Sequence, residues 1–314
     1  MSRFKPTPAE HSRSLWSLGG LTVPQLSKKV FESITEDYIL DRASALAFNF
    51  VLALFPLLLF LLALFGAFAS HGSVLRSRLM SYLSQVLPPA AYQVVNHTIE
   101  QVTRNAGRGK LTFGIVLTLW FAAGGMVAMI SGLNGAYEVK DRRSWFKVRG
   151  IALALTVVIS ALIVIALIAV LAGADLANWA GFKYGLGQAT LITWRAVEVI
   201  VAIAFVTLSF SLIYYFGPDL KKQRWHWITP GSLAGVLLWI AATFGFRAYL
   251  HFFNTYSKTY GSLGAAMILL MWLYITGFAF LIGAEINAQI EHAAEAAAPD
   301  GHPEAEAAGE KKAA

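Results

Sequence analysis

The chain has no cysteine. Disulfides, thiolate metal sites and lipid attachment at a thiol are therefore excluded. Charge is also scarce: Asp, Glu, Lys and Arg make up 14% of its 314 residues, against about a quarter in a water-soluble globule. Familiar catalytic signatures are missing as well. There is no His-Glu-x-x-His, no phosphate-binding Gly-x-x-x-x-Gly-Lys-Ser/Thr loop and no Gly-x-Ser-x-Gly elbow. The seven histidines are scattered, with no pair at metal-ligand spacing. No cofactor or metal is expected. The acidic residues are mostly isolated or beside basic ones, whereas a metal-dependent nuclease needs clustered ligands in water.

What the chain has instead is apolar length. It is 57% hydrophobic, with a mean hydropathy of +0.58. Six long apolar stretches divide it: Ala43–Ala69, Leu111–Asn134, Ile151–Ala174, Leu191–Phe216, Trp227–Leu250 and Leu263–Ala288. A helix needs about 20 apolar residues to cross a hydrocarbon core about 30 Å thick. The first stretch carries no charge at all and is much longer than a signal-peptide core, so it is expected to stay as an anchor. The expected fold is all-α: a polytopic helical membrane protein with six transmembrane helices and additional amphipathic surface helices.

Residues 1–21 are polar, Ser-rich and broken by proline, and read as a mobile tail. Thr22 and Gln25 then fit a capping box, with Pro24 in the first turn. Leu26, Val30, Phe31, Ile34 and Tyr38 form one apolar face, so residues 22–42 read as an amphipathic helix on the membrane surface. Residues 43–288 form the membrane domain. Its 70–110 loop has two runs at helical spacing, Leu75–Leu87 and Val94–Val102, separated by Pro88 and Pro89. Residues 289–314 read as a disordered tail, because from about Ala293 the chain is Ala, Glu, Pro and Gly without large apolar side chains.

Basic residues set the orientation. Lys140, Arg142, Arg143, Lys147 and Arg149 fall in one link; Lys221, Lys222 and Arg224 fall in another. Arg3, Lys5, Arg13, Lys28, Lys29 and Arg42 precede the first span. With six spans all three segments share one side, and the positive-inside rule makes that side the cytoplasm, with both termini. The net charge of +7 thus sits mainly beside lipid headgroups, and membrane lipids rather than nucleic acid are the expected partners. The 70–110 loop, with Arg76, Arg78, Arg104, Arg108 and Lys110, is the exception to the rule.

Several segments together resemble the YihY/BrkB family of bacterial inner-membrane proteins. They are Arg42-Ala-Ser-Ala-Leu-Ala-Phe-Asn49 with Pro56, then Asn134-Gly-Ala-Tyr137 with Trp145–Gly150. Tyr214-Tyr-Phe-Gly-Pro218 follows with Trp227–Gly231, and last Phe253–Asn287. The resemblance covers residues 30–290 and implies a six-span inner-membrane protein without a settled activity. Some members have carried the label ribonuclease BN, others a virulence-factor label.

Polar residues inside apolar stretches are the candidate site, because each costs free energy in lipid. Glu198 lies in the fourth span, one turn after Arg195. Glu285 and Asn287 end the sixth. Their alternatives are an interfacial cap, a partner for Arg42 or Arg149, or a gate at a cytoplasmic vestibule. Asn49 precedes Pro56, a helix-kinking residue, and fits a hydrogen bond to a neighbouring helix or a midplane site. Arg247 sits near the outer end of the fifth span. Tyr256, Tyr260, Gly261 and Gly264 follow in a polar segment, read as an external loop, a re-entrant turn or a vestibule lining. Asn134 completes the set. Gly124, Gly125, Gly231 and Gly235 read as close-packing positions between helices. Three functions stay open: a permease-like carrier for a lipid or other amphiphile, a membrane scaffold holding a protein partner, and a ribonuclease.

Overall fold

The computed structural model describes residues 15–68, 77, 80–81, 96, 100, 109–184, 187–220, 227–252 and 256–296. Among these residues every regular element is a helix and none is a strand. A short 3₁₀ segment, Leu15–Gly20, leads into α1 (Val23–Glu36). Then come α2 (Ile39–Phe68), α3 (Gly109–Ala136), α4 (Trp145–Tyr184), α5 (Gly187–Phe216), α6 (Pro230–Phe252) and α7 (Tyr256–Ala296). The six helices from α2 to α7 are each long and apolar enough to cross a membrane. At 1.5 Å per residue, α4 and α7 reach about 60 Å, twice the hydrocarbon thickness.

Neighbouring helices in the chain pack against one another all the way from α2 to α7. Extensive contact between α7 and α2 closes the ring. α7 is the hub: it also touches α3, α1 and the 3₁₀ segment. Outward faces are apolar and bare, as at Phe48, Leu52 and Phe55 of α2 and Val116, Leu117 and Phe121 of α3. Such faces suit a lipid solvent, in which helix association depends on close fit and polar contacts rather than on the hydrophobic effect. Small residues supply that fit. A Cβ on Gly231 would run into the Gly283 carbonyl and the Asn287 amide, and one on Gly283 would strike the Tyr214 hydroxyl. Gly125 lies against Ala53 and Phe50.

Among the described residues, burial is densest at the end that carries the helix links, at residues 137–144, 217–220 and 227–229. Ile39, Ile130, Leu133, Tyr137, Tyr214, Phe280, Leu281 and Ile290 are all essentially buried there. The N-terminal segment closes over this end. Trp16 donates its indole N–H to the Ile228 carbonyl (3.2 Å). Gly19, at φ +60°, lies so close to Ile290 and Ala293 of α7 that no side chain fits. The expected tail over residues 1–21 is therefore wrong for its last part; residues 1–14 lie outside those described. α1 starts as expected, with Gln25 Oε1 accepting the Thr22 N–H (2.9 Å). Its apolar face is split, however. Leu26 and Val30 are buried on the bundle, while Phe31 is 75% and Tyr38 66% exposed.

Three other expectations change. The 175–190 loop is helical up to Tyr184 and again from Gly187, so α4 and α5 are joined by two residues only. The polar segment before the sixth span is helical from Tyr256 onward and forms the first turns of α7, despite its glycines. The tail expected from residue 289 is helical to Ala296, with Gln289 and Ile290 buried. The 70–110 loop lies almost wholly outside the described residues, as do residues 297–314.

Candidate functional site

Polar chemistry concentrates at the link end and forms two clusters. The first grows from Asn134, two residues before the end of α3. Its amide donates to Asp141 Oδ2 (2.8 Å), and its carbonyl oxygen accepts the Asp219 N–H (2.9 Å). Arg143 forks onto the same Asp141 carboxylate through Nε (2.9 Å) and Nη2 (2.8 Å). Its Nη2 also donates to the Gly217 carbonyl (2.7 Å). Asp219 in turn accepts the Arg142 N–H (2.9 Å). A planar guanidinium on a carboxylate is a strong, directional pair. Hydrogen bonds from Arg143 hold the Asp141 carboxyl below its ordinary range despite its burial, and Asp141 raises Arg143 in return. This cluster ties the α3–α4 link to the α5–α6 link.

The second cluster is built on the C-terminal part of α7, with Asn287 turned toward α6 and Glu285 and Gln289 on the opposite side, toward α1. Asn287 accepts the Gly231 N–H through Oδ1 (2.9 Å) and donates to Thr229 Oγ1 (2.9 Å). Thr229 and Ser232 cap the start of α6 reciprocally, each side chain accepting the other's backbone N–H at 3.0 Å. Asn287 thus satisfies the helix-end amide that this box leaves over. Two residues further, and therefore on the opposite side of α7, Gln289 donates to Ser33 Oγ of α1 and to Glu285 Oε1, both at 2.9 Å. Glu285 is 0% exposed, yet its Oε2 has no hydrogen-bond partner. The neighbouring Tyr137 hydroxyl is likewise buried without one. Burial, and then the charge of Glu291, pushes the Tyr137 phenol well above its usual range. Burial followed by the Glu138 charge raises the Asp37 carboxyl in the α1–α2 turn.

Neither expected cation reaches Glu285. Arg42 donates its Nε to the Asp37 carbonyl (2.7 Å) and lies flat against Gly135, where a Cβ would collide with its guanidinium. Arg149 stacks on Trp120, its guanidinium carbon 4.2 Å from the ring centre, and donates to the Trp120 carbonyl. An aromatic face and a carbonyl hold Arg149 without a carboxylate, while its Nε is buried with no hydrogen-bond partner. The ion pair that these residues were expected to form is therefore absent among the described residues. Asn49 donates to the Ala45 carbonyl of its own helix (2.8 Å), not to a neighbour. α2 runs through Pro56 as a single helix. Arg247 is exposed on α6, far along the helix from the link end. Glu198, Tyr256, Tyr260, Gly261 and Gly264 lie in helices, and their side chains fall outside those described.

Of the sequence candidates, the structure thus gathers Arg42, Asn134, Glu285 and Asn287 at one end. It adds Ser33, Tyr137, Asp141, Arg143, Asp219, Thr229 and Gln289. Most of these were hidden by context. Asp141 sits in a basic link, and Gln289 in a segment that reads as tail. Among the described residues no three His, Cys, Asp or Glu side chains converge on one point.

Comparison with known proteins agrees with this membrane architecture. The family model described as Virulence factor BrkB matches residues 30–308. The ribonuclease-like protein YfkH of Bacillus subtilis is 31% identical over 261 residues, covering 83% of this chain and 93% of YfkH. A UPF0761 membrane protein of Alkalilimnicola ehrlichii is 29% identical over 262 residues, 82% of this chain but only 56% of that protein. Another, from Vibrio atlanticus, is 27% identical over 273 residues, covering 85% and 82%. No solved structure matches the chain. With a family match over most of its length and six helices fit to span a bilayer, this chain belongs to the Virulence factor BrkB family of membrane proteins.

Proposed function

We propose that the protein is a permease-like carrier for a lipid or other amphiphile in the bacterial inner membrane, with the link end and both termini in the cytoplasm. The observation that carries the reading is Glu285. Asn134, Asp141, Arg143 and Asn287, other polar side chains of the link end, join elements by hydrogen bonds. Glu285 spends one oxygen on Gln289 and keeps the other unused, inside the densely buried link end. A carboxyl group there is costly, and glutamine would fill the structural role equally well. Retaining a carboxyl suits a group that meets a solute or an ion during a cycle.

The test is movement of a labelled phospholipid across proteoliposomes of the full chain. Glu285→Gln is expected to slow it about tenfold or more, a loss of transition-state stabilisation of about 1.4 kcal/mol. Unchanged movement in Glu285→Gln combined with Arg247→Ala would remove this path. The scaffold reading is favoured by the same joints seen differently: Asn134, Arg143 and Asn287 hold a rigid face toward one side of the bilayer. A stoichiometric protein partner without transport would support it. Ribonuclease-like is the name of a relative; cleavage of RNA by protein freed of contaminating nuclease is the direct check.

A further inference from the structure

Leu15–Glu36 forms a strap across the link end. It is held by the Trp16 indole on Ile228, by Gly19 on Ile290, by buried Leu26 and Val30, and by the Gln289–Ser33 hydrogen bond. Gln289 gives its other N–H to Glu285, so one amide connects the strap to the buried carboxyl. The charged groups around Glu285 come from several elements. Asp37 faces it from the α1–α2 turn and Glu138 from the segment after α3. Behind Asp37 stand Arg42 of α2 and His292 of α7. The Arg42 Nε is already spent on the Asp37 carbonyl. Thr229 and Gly231 at the start of α6 bond Asn287, on the other side of α7 from Glu285. Tyr137 adds a second buried polar atom without a partner. Among the described residues no cation forms an ion pair with Glu285.

We infer that Glu285 is a proton-binding site, and that its charge state sets how firmly the Leu15–Glu36 strap is held on the bundle. Protonated, the side chain is neutral and fits its surroundings with Oε1 on Gln289. Releasing the proton to water leaves a buried carboxylate with one oxygen unsatisfied and two acids facing it. Such a charge needs hydration, and water reaches it when α1 lifts away from α7. Strap closure and proton binding are therefore linked. Closure is favoured where Glu285 holds its proton and weakens as pH rises. For one proton, the opening constant changes by up to about tenfold per pH unit.

The test is amide hydrogen exchange of α1 in the full-length protein in lipid nanodiscs over a pH series, corrected for intrinsic exchange. Opening is expected to rise with pH in the wild type. Glu285→Gln should keep the strap closed and flatten the profile. Ser33→Ala should open the strap at every pH and keep the dependence. Infrared spectroscopy supplies a second readout: a carboxylic-acid C=O band that fades as pH rises and is missing in Glu285→Gln. An unchanged pH profile in Glu285→Gln, or no band that depends on this residue, overturns the inference. The readouts are separate from transport. A protein that moves no lipid but shows the band and the profile sinks the carrier reading alone. The reverse result sinks this one alone.

Discussion

Asp141 shows how much a single side chain holds at the link end. Its carboxylate accepts the Arg143 backbone N–H, Nε and Nη2 together with the Asn134 amide, and through them reaches Gly217 and Asp219. Asp141→Asn keeps the shape and loses the charge, leaving a largely buried guanidinium short of its partner. The expected cost is about 1–3 kcal/mol, seen as a lower unfolding temperature in detergent. The pH dependence has a definite sign. The folded protein holds Asp141 below its unfolded value, so its contribution is complete above the ordinary aspartate range and is lost as pH falls through the folded value. The wild type should therefore lose stability at acid pH more steeply than Asp141→Asn. A parallel acid response in the two proteins would show that the Arg143 pair carries no stability. Asn287→Ala belongs with this prediction. It strands the buried Gly231 N–H and should also cost about 1–3 kcal/mol.

The crossing of α6 and α7 is decided by the absence of side chains. Gly231, Gly235 and Gly283 let the two backbones meet, and the Tyr214 hydroxyl enters from α5 to donate to the Phe280 carbonyl (2.6 Å). Gly231→Ala or Gly283→Ala adds a methyl where backbone already stands, so the helices must part. Overpacking of this kind costs about 1–3 kcal/mol, and here it also stretches the Asn287 cap of α6. The measured outcome should be a lower yield of monodisperse protein and a lower unfolding temperature. Gly124→Ala is the control, because its added carbon meets nothing within 4 Å. Gly231 and Gly235 read as packing positions from spacing alone. Gly283 does not, since its partner Tyr214 comes from a helix 66 residues away from the carbonyl that it contacts.

The described residues form a ring of six long helices with one end covered by the Leu15–Glu36 segment. Leu15–Gly20 packs on Ile290–Ala294, so the two described ends of the chain lie together. The lack of cysteine makes this easy to test. Single cysteines placed at Lys28, Lys140 and Glu295 should all react with a membrane-impermeant maleimide from the same side of inverted vesicles. Labelling of Lys28→Cys and Glu295→Cys from opposite sides would break the ring topology. The same experiment tests whether that side is the cytoplasm, as the basic residues at 140–149 and 221–224 suggest.

Apolar length alone was enough to read six candidate spans and, among the described residues, helices without strands, because a helix in lipid satisfies its own backbone. The start of α1 was legible for a similar reason: a cap is local, and Thr22, Pro24 and Gln25 lie within one turn. Partners across the bundle were not legible. The sequence suggests Arg42 or Arg149 for Glu285, on grounds of charge. In the fold Arg42 reaches the Asp37 carbonyl, Arg149 reaches Trp120, and Glu285 is left with Gln289. Helix ends were misplaced where polar residues continue a helix beyond the lipid, at Tyr256–Gly264 and at Gln289–Ala296. Composition records whether a segment prefers lipid or water. Which polar atoms meet depends on how helices far apart in the chain rotate and cross, and that is settled by packing.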